Sequence, residues 1–415
     1  MTTELDVVVV GGGPVGACAA ALIARGSTGL IARGSAGRGA PLRVALLEQR
    51  RPKAPDPEAP LDPRVVAISR ASERIVMNAG AHIVGGPRVM AYETMKVWHE
   101  KVAPDSSGVL VFDAARAGEP NLGYILEARL LQAALLDAFD EAGGQLIAAE
   151  VRSVQVEPER VRVETTLQTL SARLVIGADG AGSFVRNAVG LTADIRNYGQ
   201  TAIVATVATG RPHSRTAWQR FMRQGTLAFL PLADGHSSIV WSADNELAES
   251  LLGLSAEDFA EELNRASALA LGTTRLVSDR ISFPLRGLAA QRYVTQRCAL
   301  IGDAAHVVHP LAGQGMNLGL LDAAALAQLV LESREEREDP GALRVLRRYE
   351  RWRKSEVAIM RTAIDGFDRL LAHGTGPFAR IAQRGLGLVN RSDEIKRLFI
   401  GRALGRTGEL PRTAL

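Results

Sequence analysis

The chain has 415 residues, 47% of them apolar and 23% charged, so it is long enough to bury a large core and to form two interleaved domains. Its net charge of +4 is small for this length and argues against strong nucleic-acid binding. The two cysteines, Cys18 and Cys298, lie among small or apolar neighbours, and the sequence predicts neither a disulfide nor a metal site. The first apolar run is too short and too rich in glycine for a signal peptide or a membrane span. We therefore expect a cytoplasmic protein, or one attached to a membrane only at its surface.

A glycine motif opens the chain. The valines at positions 7–10 predict a strand buried on both faces, and a helix is predicted over residues 17–24. Glycines at this spacing allow a sharp turn, the close approach of a pyrophosphate, and packing of the helix on the strand. The motif predicts a dinucleotide site formed by Gly11, Gly13, Pro14, Val15 and Gly16. The alternative is a tight strand–helix turn that binds no ligand.

An eight-residue duplication follows, in which residues 22–29 are repeated almost perfectly as residues 30–37. The next predicted strand, residues 43–48, ends at Glu48, a residue type suited to binding a ribose hydroxyl. Glu48 follows Gly16 by 48 − 16 = 32 residues, whereas roughly 20 are expected, and removing one copy leaves 24. We therefore interpret the duplication as a lengthened connection and keep Glu48 as a cofactor ligand. A solvated carboxylate at a strand end is the alternative.

The next part of the chain predicts a loop, strands and a helix. Residues 51–61 are rich in proline and charge and read as a loop, and residues 92–113 alternate like strands. Residues 124–142 have apolar side chains at helical spacing and stop at two glycines. Three strand-like runs within residues 145–166 predict a small meander.

A second chemical stretch follows the predicted strand 174–177, where a glycine-rich turn contains Asp179 and precedes Arg186. Residues 198–286 then alternate like an antiparallel sheet, interrupted by a helix near residues 255–268 with Ser255 as its N-cap. This block predicts a second domain. Its aromatic residues at strand spacing either line a pocket or belong to the core, and they are Trp218, Phe221, Phe229 and Trp241.

A third stretch consists of a buried strand that ends at Gly302 and Asp303, followed by a glycine-punctuated turn over residues 309–319. A long helix to about residue 332 and an arginine-rich amphipathic helix over about 342–372 complete the predicted elements.

These three stretches, in this order, resemble the fingerprints of the FAD-dependent aromatic hydroxylases of the para-hydroxybenzoate hydroxylase superfamily. The matching segments are the opening glycines with Glu48, residues 177–186, and residues 302–306. A narrower resemblance, to the UbiH-type branch of ubiquinone-biosynthesis hydroxylases, covers nearly the whole chain. It rests on residues 62–69, 127–132, 311–319 and 385–411. Ala128 departs from this branch, which usually has asparagine there.

The resemblance implies FAD as cofactor, with Glu48 accepting hydrogen bonds from the ribose hydroxyls. Asp303 would bind the ribityl chain or water near the pyrophosphate, and helix capping is a compatible alternative. Backbone N–H groups at the start of the following helix would stabilise negative charge on the reduced flavin. The other expected FAD contacts are Arg64, Arg129, Asp179, Arg186, Gly302, Pro310, Ala312, Gly313, Gln314, Gly315, Met316 and Asn317.

Several of these roles have open alternatives. Arg129 would otherwise form a surface ion pair, Arg186 would pair with Asp179, and Gln314 and Asn317 would cap a helix. His309 and Pro310 border the reactive face of the flavin by resemblance, and we expect a catalytic contact there. The neighbouring His306 is expected to be a structural part of its motif.

By the same resemblance, NAD(P)H reduces the flavin, O2 forms a C4a-hydroperoxide, and one oxygen is transferred to an aromatic ring. The chain has no second G-x-G-x-x-G, so we expect NAD(P)H to dock transiently. The expected substrate is a polyprenylated phenol in ubiquinone biosynthesis. The alternatives are a hydroxylase of a small soluble aromatic compound and a non-hydroxylating flavin-binding partner in a biosynthetic assembly.

The expected fold is an α/β Rossmann-like FAD-binding domain interleaved with a smaller antiparallel-sheet substrate domain, plus C-terminal helices. We assign residues 1–90, 114–190 and 287–340 to the first domain, residues 91–113 and 191–286 to the second, and residues 341–415 to the C-terminal region. Basic and apolar side chains mix over residues 378–405, which predicts attachment to the inner face of the cytoplasmic membrane or a helix packed on the protein. Other ubiquinone-pathway enzymes are expected partners, and an oligomer stays open.

Overall fold

A computed structural model describes residues 2–29, 40–309, 313–371 and 408–415. Within these ranges the chain forms eight α-helices and four sheets. The helices are α1 Pro14–Ser27, α2 Arg70–Asn78, α3 Ala128–Glu141, α4 Phe184–Ala188, α5 Asn245–Gly253, α6 Ala256–Ser267, α7 Gln314–Glu335 and α8 Leu343–Leu371.

The largest buried core surrounds a six-stranded sheet with the order β20-β21-β13-β2-β3-β9. Its strands are β2 Val7–Val10, β3 Val44–Leu47, β9 Gln145–Ile147, β13 Leu174–Gly177, β20 Val294–Thr295 and β21 Cys298–Leu300. Every pair is parallel except β20–β21. All residues of β2, β3, β13 and β21 are buried, because α1 packs on β2 and β3, α3 and α7 pack against α1, and all share one core. The predicted Rossmann-like layer is therefore confirmed.

Two small sheets flank this core. One has the order β1-β12-β11-β10 and the other the order β4-β8-β5. Their strands are β1 Thr2–Glu4, β10 Val151–Val156, β11 Val161–Thr165 and β12 Thr169–Ala172, then β4 Val65–Ser69, β5 Met90–Tyr92 and β8 Gly123–Glu127.

Two local predictions in this region were wrong. The helix predicted from residue 124 begins only at Ala128, because residues 123–127 form β8 and pair with β4 and β5. A short apolar run cannot be assigned to helix or strand by periodicity alone, and here tertiary pairing decides. The first run of the predicted meander instead contains β9, which joins the six-stranded sheet beside β3.

A nine-stranded sheet forms the second large layer, with the order β22-β19-β14-β17-β16-β15-β6-β7 and β18 paired to β14. Its strands are β6 Thr94–His99, β7 Leu110–Asp113, β14 Ala193–Thr209, β15 Thr216–Met222, β16 Gly225–Pro231, β17 Ser237–Asp244, β18 Thr274–Leu276, β19 Ile281–Ala290 and β22 His306–Val307. Only the β15–β6 pair is parallel, so the predicted antiparallel sheet is confirmed in all other pairs.

Helices α5 and α6 cover one face of the nine-stranded sheet and share a core with it. Ser255 caps α6, because its side chain accepts a hydrogen bond from the Asp258 N–H at 3.0 Å. Strands from residues 94–113 and 193–290 contribute to this sheet, while the exact domain boundaries stay a prediction. No helix in the described ranges is long and apolar enough to cross a membrane.

Candidate flavin site

The opening glycines form a close-packed turn with an accessible helix terminus. A Cβ on Gly11, whose φ is +103°, would lie 2.4 Å from the Ala178 carbonyl oxygen, and one on Gly16 would lie 2.0 Å from that of Gly11. A Cβ on Gly13 would meet no heavy atom of the described chain within 4 Å. Gly13 is the N-cap of α1 and supplies no side chain, and Pro14 occupies the first turn. The turn thus offers backbone N–H groups and open space to an anion, which suits a pyrophosphate.

Glu48 lies beside this turn despite its unusual spacing in the sequence. Its Oε2 accepts a hydrogen bond from the Gly12 N–H at 2.9 Å, and its Oε1 accepts one from the Arg50 N–H at 3.1 Å. Each carboxylate oxygen keeps a further lone pair for a hydroxyl donor. On the other side of the turn, the Gln132 side chain donates to the Gly12 carbonyl at 2.8 Å. This arrangement suits binding of the ribose of a dinucleotide.

The connection that contains the duplication is held together at both ends. Arg334 on α7 donates hydrogen bonds of 2.8 Å to the carbonyl oxygens of Ser27 and Ala40. The hydroxyl of Ser27 also accepts from the Leu42 N–H at 3.1 Å. The second copy, residues 30–37, lies outside the described residues. The fixed ends explain how β3 and Glu48 keep their places beside β2 although the connection is long.

Asp179 and Arg186 do not pair with each other. The Asp179 carboxylate accepts from the Ser183 hydroxyl at 2.5 Å and from the Val185 N–H at 3.0 Å, so it holds the turn before α4. Arg186 is buried and donates at 2.9 Å to the carbonyl oxygens of Ala304 and Ala181. The second and third sequence stretches are therefore joined by a buried guanidinium.

Asp303 lies in a single 3-10 turn, Gly302–Ala304, whose N-cap is Ile301. The turn needs a glycine, because Gly302 has φ +58° and a Cβ there would lie 3.1 Å from the Val15 side chain. Asp303 is exposed, yet enough protein surrounds its carboxyl that desolvation raises its pKa, an effect that nearby His306 partly offsets. An acceptor in this position suits a hydroxyl-rich ligand such as a ribityl chain.

His306 belongs to a buried ionic cluster. Its Nε2 lies 2.6 Å from Oδ2 of Asp322, and Arg353 donates to Oδ1 of Asp322 at 2.8 Å. The Gly302 N–H donates to Oδ2 of the same carboxylate at 3.1 Å. Desolvation would raise the pKa of Asp322, but the charges of His306 and Arg353 and their hydrogen bonds lower it overall. These contacts support the structural role expected for His306.

The start of α7 is fixed by Asn317. Its Oδ1 accepts from the Ser69 N–H at 2.8 Å and the Ser72 hydroxyl at 2.7 Å, while its Nδ2 donates to the Ala67 carbonyl at 2.9 Å and that of Gly313 at 3.3 Å. Protein partners thus occupy all its hydrogen-bonding positions, so a direct contact of this side chain with FAD has no support here.

The other FAD contacts predicted within residues 310–316 differ in conformation and burial. Gly313 has φ +60°, and a Cβ on Gly315 would meet no atom of the described residues within 4 Å. Gln314 and Met316 are half-buried, whereas Pro310 and Ala312 lie outside the described residues. Gly313 caps α7 without a side-chain hydrogen bond, so this helix terminus also presents backbone N–H groups and open space. A flat ring fits such a surface.

Arg64 and Arg129 are exposed. Arg129 donates to the Lys53 carbonyl at 3.1 Å, and the Arg64 side chain lies 3.6 Å from the Asp62 carboxylate. These distances neither confirm nor contradict a surface ion pair for Arg129, and they do not test a contact of either arginine with the cofactor. Their FAD-binding roles stay predictions.

His309, the predicted catalytic residue, is buried against the nine-stranded sheet. Its Nε2 lies 2.9 Å from Oε1 of Gln200, and its ring packs edge-on against Tyr198 with centroids 4.7 Å apart. Gln200 and Gln132 were missed by the sequence analysis. Gln132 stood in a motif that was recognised as a whole, but Gln200 is 109 residues from its partner and carries no local signal.

Three of the four aromatic residues considered for a substrate pocket lie in the core between the sheet and helices α5 and α6. Trp218, Phe229 and Trp241 are each no more than 8% exposed and belong to one cluster. Trp241 packs against Phe259 of α6, with ring centroids 6.0 Å apart. Their placement supports the core alternative, and the pocket role stays a prediction.

A mainly parallel sheet with a glycine turn, a strand-end acid and two accessible helix termini defines a dinucleotide-binding protein with an attached antiparallel sheet. The sequence matches the FAD binding domain family over residues 124–360. Ubiquinone hydroxylase UbiL of Rhodospirillum rubrum is 36% identical, over 96% of this chain and 89% of the relative. The 3-demethoxyubiquinol 3-hydroxylase of Escherichia coli is 32% identical, over 96% of this chain and 98% of the relative.

The fold is shared with a monooxygenase of known structure. The crystal structure of p-nitrophenol 4-monooxygenase PnpA from Pseudomonas putida DLL-E4 aligns with a TM-score of 0.74 at 19% identity, over 99% of this chain and 100% of that one. The chain belongs to the FAD binding domain family and is an FAD-dependent monooxygenase.

Proposed function

We propose that the protein hydroxylates the aromatic ring of a polyprenylated phenol in ubiquinone biosynthesis. The observation that carries the cofactor part is the open turn at Gly13, with an accessible helix N-terminus and Glu48 held beside it by the Gly12 N–H. The substrate class is supported by two relatives, each covered over most of its length, whose names are those of ubiquinone and demethoxyubiquinol hydroxylases.

Four groups of residues would hold FAD. The α1 terminus would bind the pyrophosphate, Glu48 the ribose, and Asp303 the ribityl chain. The α7 terminus at Gly313 and Gly315 would face the flavin ring, where its N–H groups favour negative charge. When bound, FAD supplies the redox chemistry that activates O2, with NAD(P)H proposed as the electron donor.

The substrate side of the site would be the face of the nine-stranded sheet opposite the tryptophan core. Successive side chains of a strand alternate between faces, so Phe221 and Ser238 point away from that core. Phe221 clusters with Val308 and Leu318, and the Ser238 hydroxyl donates to the Pro63 carbonyl at 3.2 Å. This face therefore adjoins the segments proposed to carry the flavin.

His309 lies at the same boundary, and we assign it the task of accepting the proton of the substrate hydroxyl. A neutral imidazole is suited to this step near neutral pH, and removing the proton makes the ring richer in electrons. The buried surroundings of His309 would also exclude water, which protects the reactive oxygen from loss to solvent.

A membrane surface is the proposed location of the reaction. Helix α8 exposes Arg347, Arg351 and Lys354 along one side, with Ile359 49% exposed further along. A basic face with an exposed isoleucine further along the helix suits the interface of an anionic bilayer, where a polyprenylated phenol is dissolved. The segment 378–405, for which the same was predicted, lies outside the described residues.

Purification and lipid analysis test this proposal. We expect the purified protein to carry yellow FAD, or to take it up when it is added. We also expect a deletion strain to accumulate a prenylated ubiquinone precursor. A protein that cannot take up FAD would contradict both the hydroxylase and the flavin-binding-partner functions. Normal ubiquinone without a precursor, in a strain that lacks a redundant enzyme, would favour a small soluble aromatic substrate.

A further inference from the structure

We propose that Gln200, oriented by Asp244, is a positioning residue that holds His309 in the tautomer with its proton on Nε2 and its lone pair on Nδ1. The inference deepens the proposed function and rests on it for the part that His309 plays in hydroxylation. The tautomer itself is argued from contacts of the described residues alone.

A bulge in β14 brings the two partners of His309 to one place. Between the pairs Asn197–Arg286 and Thr201–Pro284, β14 advances by 201 − 197 = 4 residues while β19 advances by 286 − 284 = 2. Gly199, with φ +69°, lies inside this bulge in a conformation that favours glycine. Bulges redirect side chains and are frequent beside active sites. Here the bulge supplies Tyr198 and Gln200.

These two side chains fix the imidazole from different directions. Tyr198 packs edge-on against the ring, at an interplanar angle of 85°. Gln200 is 5% exposed and approaches Nε2 of His309 through its side-chain oxygen at 2.9 Å. A ring held by one perpendicular aromatic contact and one hydrogen bond has little freedom to rotate.

Asp244 decides which end of the Gln200 amide meets His309. The amide nitrogen of Gln200 lies 3.3 Å from Oδ1 of Asp244, the residue that precedes α5. A carboxylate only accepts hydrogen bonds, so the atom of Gln200 that faces it must be the NH2 group. The opposite end, which faces His309, is then the carbonyl oxygen, another acceptor. Nε2 of His309 must therefore donate and carry the proton.

The consequence for the reaction is that His309 can accept a proton only at Nδ1. When the substrate hydroxyl transfers its proton, the O–H bond breaks, an N–H bond forms at Nδ1, and the imidazole becomes a cation. The Nε2–H group still donates to Gln200, whose oxygen dipole favours the cation. The carboxylate, amide and imidazole thus form one oriented chain.

The test is NMR of the ring nitrogens in protein with isotope-labelled histidine, at about pH 8 where an ordinary imidazole is neutral. His309 is assigned by the loss of its signals in His309→Phe. We expect the Nε2–H tautomer in the parent. Asp244→Asn, which lets the amide of Gln200 invert, should raise the population of the Nδ1–H tautomer to a comparable level. Gln200→Leu should also remove the preference of His309 for the Nε2–H tautomer.

Asn245→Ala is the matched control, because Asn245 is the next residue and accepts from Thr201 at 3.0 Å, one residue beyond Gln200. In this variant, His309 should have the same tautomer as in the parent. A parent in the Nδ1–H form, or an unchanged tautomer in both Asp244→Asn and Gln200→Leu, would overturn the inference. If Gln200→Leu does not fold, Asp244→Asn alone decides, since the shape of the side chain is kept. The measurement needs neither substrate nor turnover, so it is independent of the substrate proposal.

Discussion

The guanidinium of Arg186 donates a hydrogen bond of 2.9 Å to the carbonyl oxygen of Ala304, across 118 residues of sequence. A second donation reaches Ala181, so one buried side chain spans the turn that follows β13 and the turn that follows β21. Arg186→Met should lower stability by about 2–5 kcal/mol, because buried carbonyls lose a charged donor. FAD affinity should fall at least about tenfold, since the turn carrying Asp303 would loosen.

Thermal unfolding and FAD titration measure the two effects. Arg152→Met is the control, since Arg152 is exposed on β10, and it should leave both values near those of the parent. If Arg186→Met lowers stability but binds FAD as tightly as the parent, Arg186 supports the fold alone. That result would contradict the prediction that it also supports FAD binding.

Asp303→Asn should weaken FAD binding without weakening the apoprotein. A carboxyl whose pKa is raised on folding opposes folding at neutral pH, and this opposition disappears as the pH falls below the unfolded pKa. The neutral amide removes that effect, so the apoprotein should melt at the same or a slightly higher temperature. The difference between variant and parent should vanish in acid.

Flavin retention during gel filtration and melting from neutral to acidic pH provide the readout. Asp105→Asn, on an exposed turn, should change neither. Undiminished retention of FAD would refute the role of Asp303 in the site.

Asp322→Asn should destabilise the protein strongly, by about 3–5 kcal/mol, because Arg353 would keep a buried charge without its counterpart and His306 would lose its carboxylate partner. The folded pKa of Asp322 is lowered, so the parent gains stability from this group above its unfolded pKa and loses it as the pH falls through the folded value. Denaturant unfolding at a series of pH values would show this acid-dependent loss in the parent and a smaller one in the variant.

Glu262→Gln breaks an exposed pair with Arg265 and should cost less than about 1 kcal/mol. A similarly small effect of Asp322→Asn would mean that the cluster does not hold α7 and α8 to the turn at Gly302.

Deleting residues 30–37 should leave FAD binding and melting temperature close to those of the parent. One guanidinium, Arg334, reaches both Ser27 and Ala40, and the four residues left between them can span roughly 13 Å when extended. Loop shortening also changes closure entropy only slightly. In a second variant, glycine and serine replace the residues at the same eight positions. This variant keeps the length of the connection and tests whether its side chains matter. Complete loss of FAD in either protein would show that the second copy does more than lengthen the connection.

Vesicle flotation tests the membrane-surface proposal. The parent should float with vesicles rich in anionic phospholipid and remain below with neutral ones, and salt should weaken binding. Arg347→Glu with Arg351→Glu should reduce flotation, whereas Arg152→Glu on β10 should not. Equal flotation of both variants would exclude the α8 face as the contact.

Local signals predicted much of this fold. The glycine turn, the Ser255 cap and the buried valines of β2 each require only a few neighbouring residues, and all were located correctly. Pairing between segments that are distant in the sequence was harder to predict. Residues 123–127 form a strand because β4 lies beside them, and no periodicity in their own sequence distinguishes that from a helix.

The direction in which side chains point was the second feature that the sequence alone could not predict. The strands bearing Trp218 and Trp241 were predicted, but which face meets the helices depends on the position of α5 and α6. The same applies to Arg186, for which a pair with the nearby Asp179 was the alternative, and which instead binds carbonyls that only the folded chain brings within reach.

The crowded hydrogen bonds of Asn317 have a consequence for how the cofactor arrives. Because β4, α2 and α7 are cross-linked by one amide, this wall of the site has its final shape before any ligand enters. Little of this wall must be ordered when FAD binds, so ordering the wall adds little entropic cost. We therefore expect flavin uptake by the apoprotein to follow simple bimolecular kinetics, with a rate proportional to FAD concentration and no slow refolding phase.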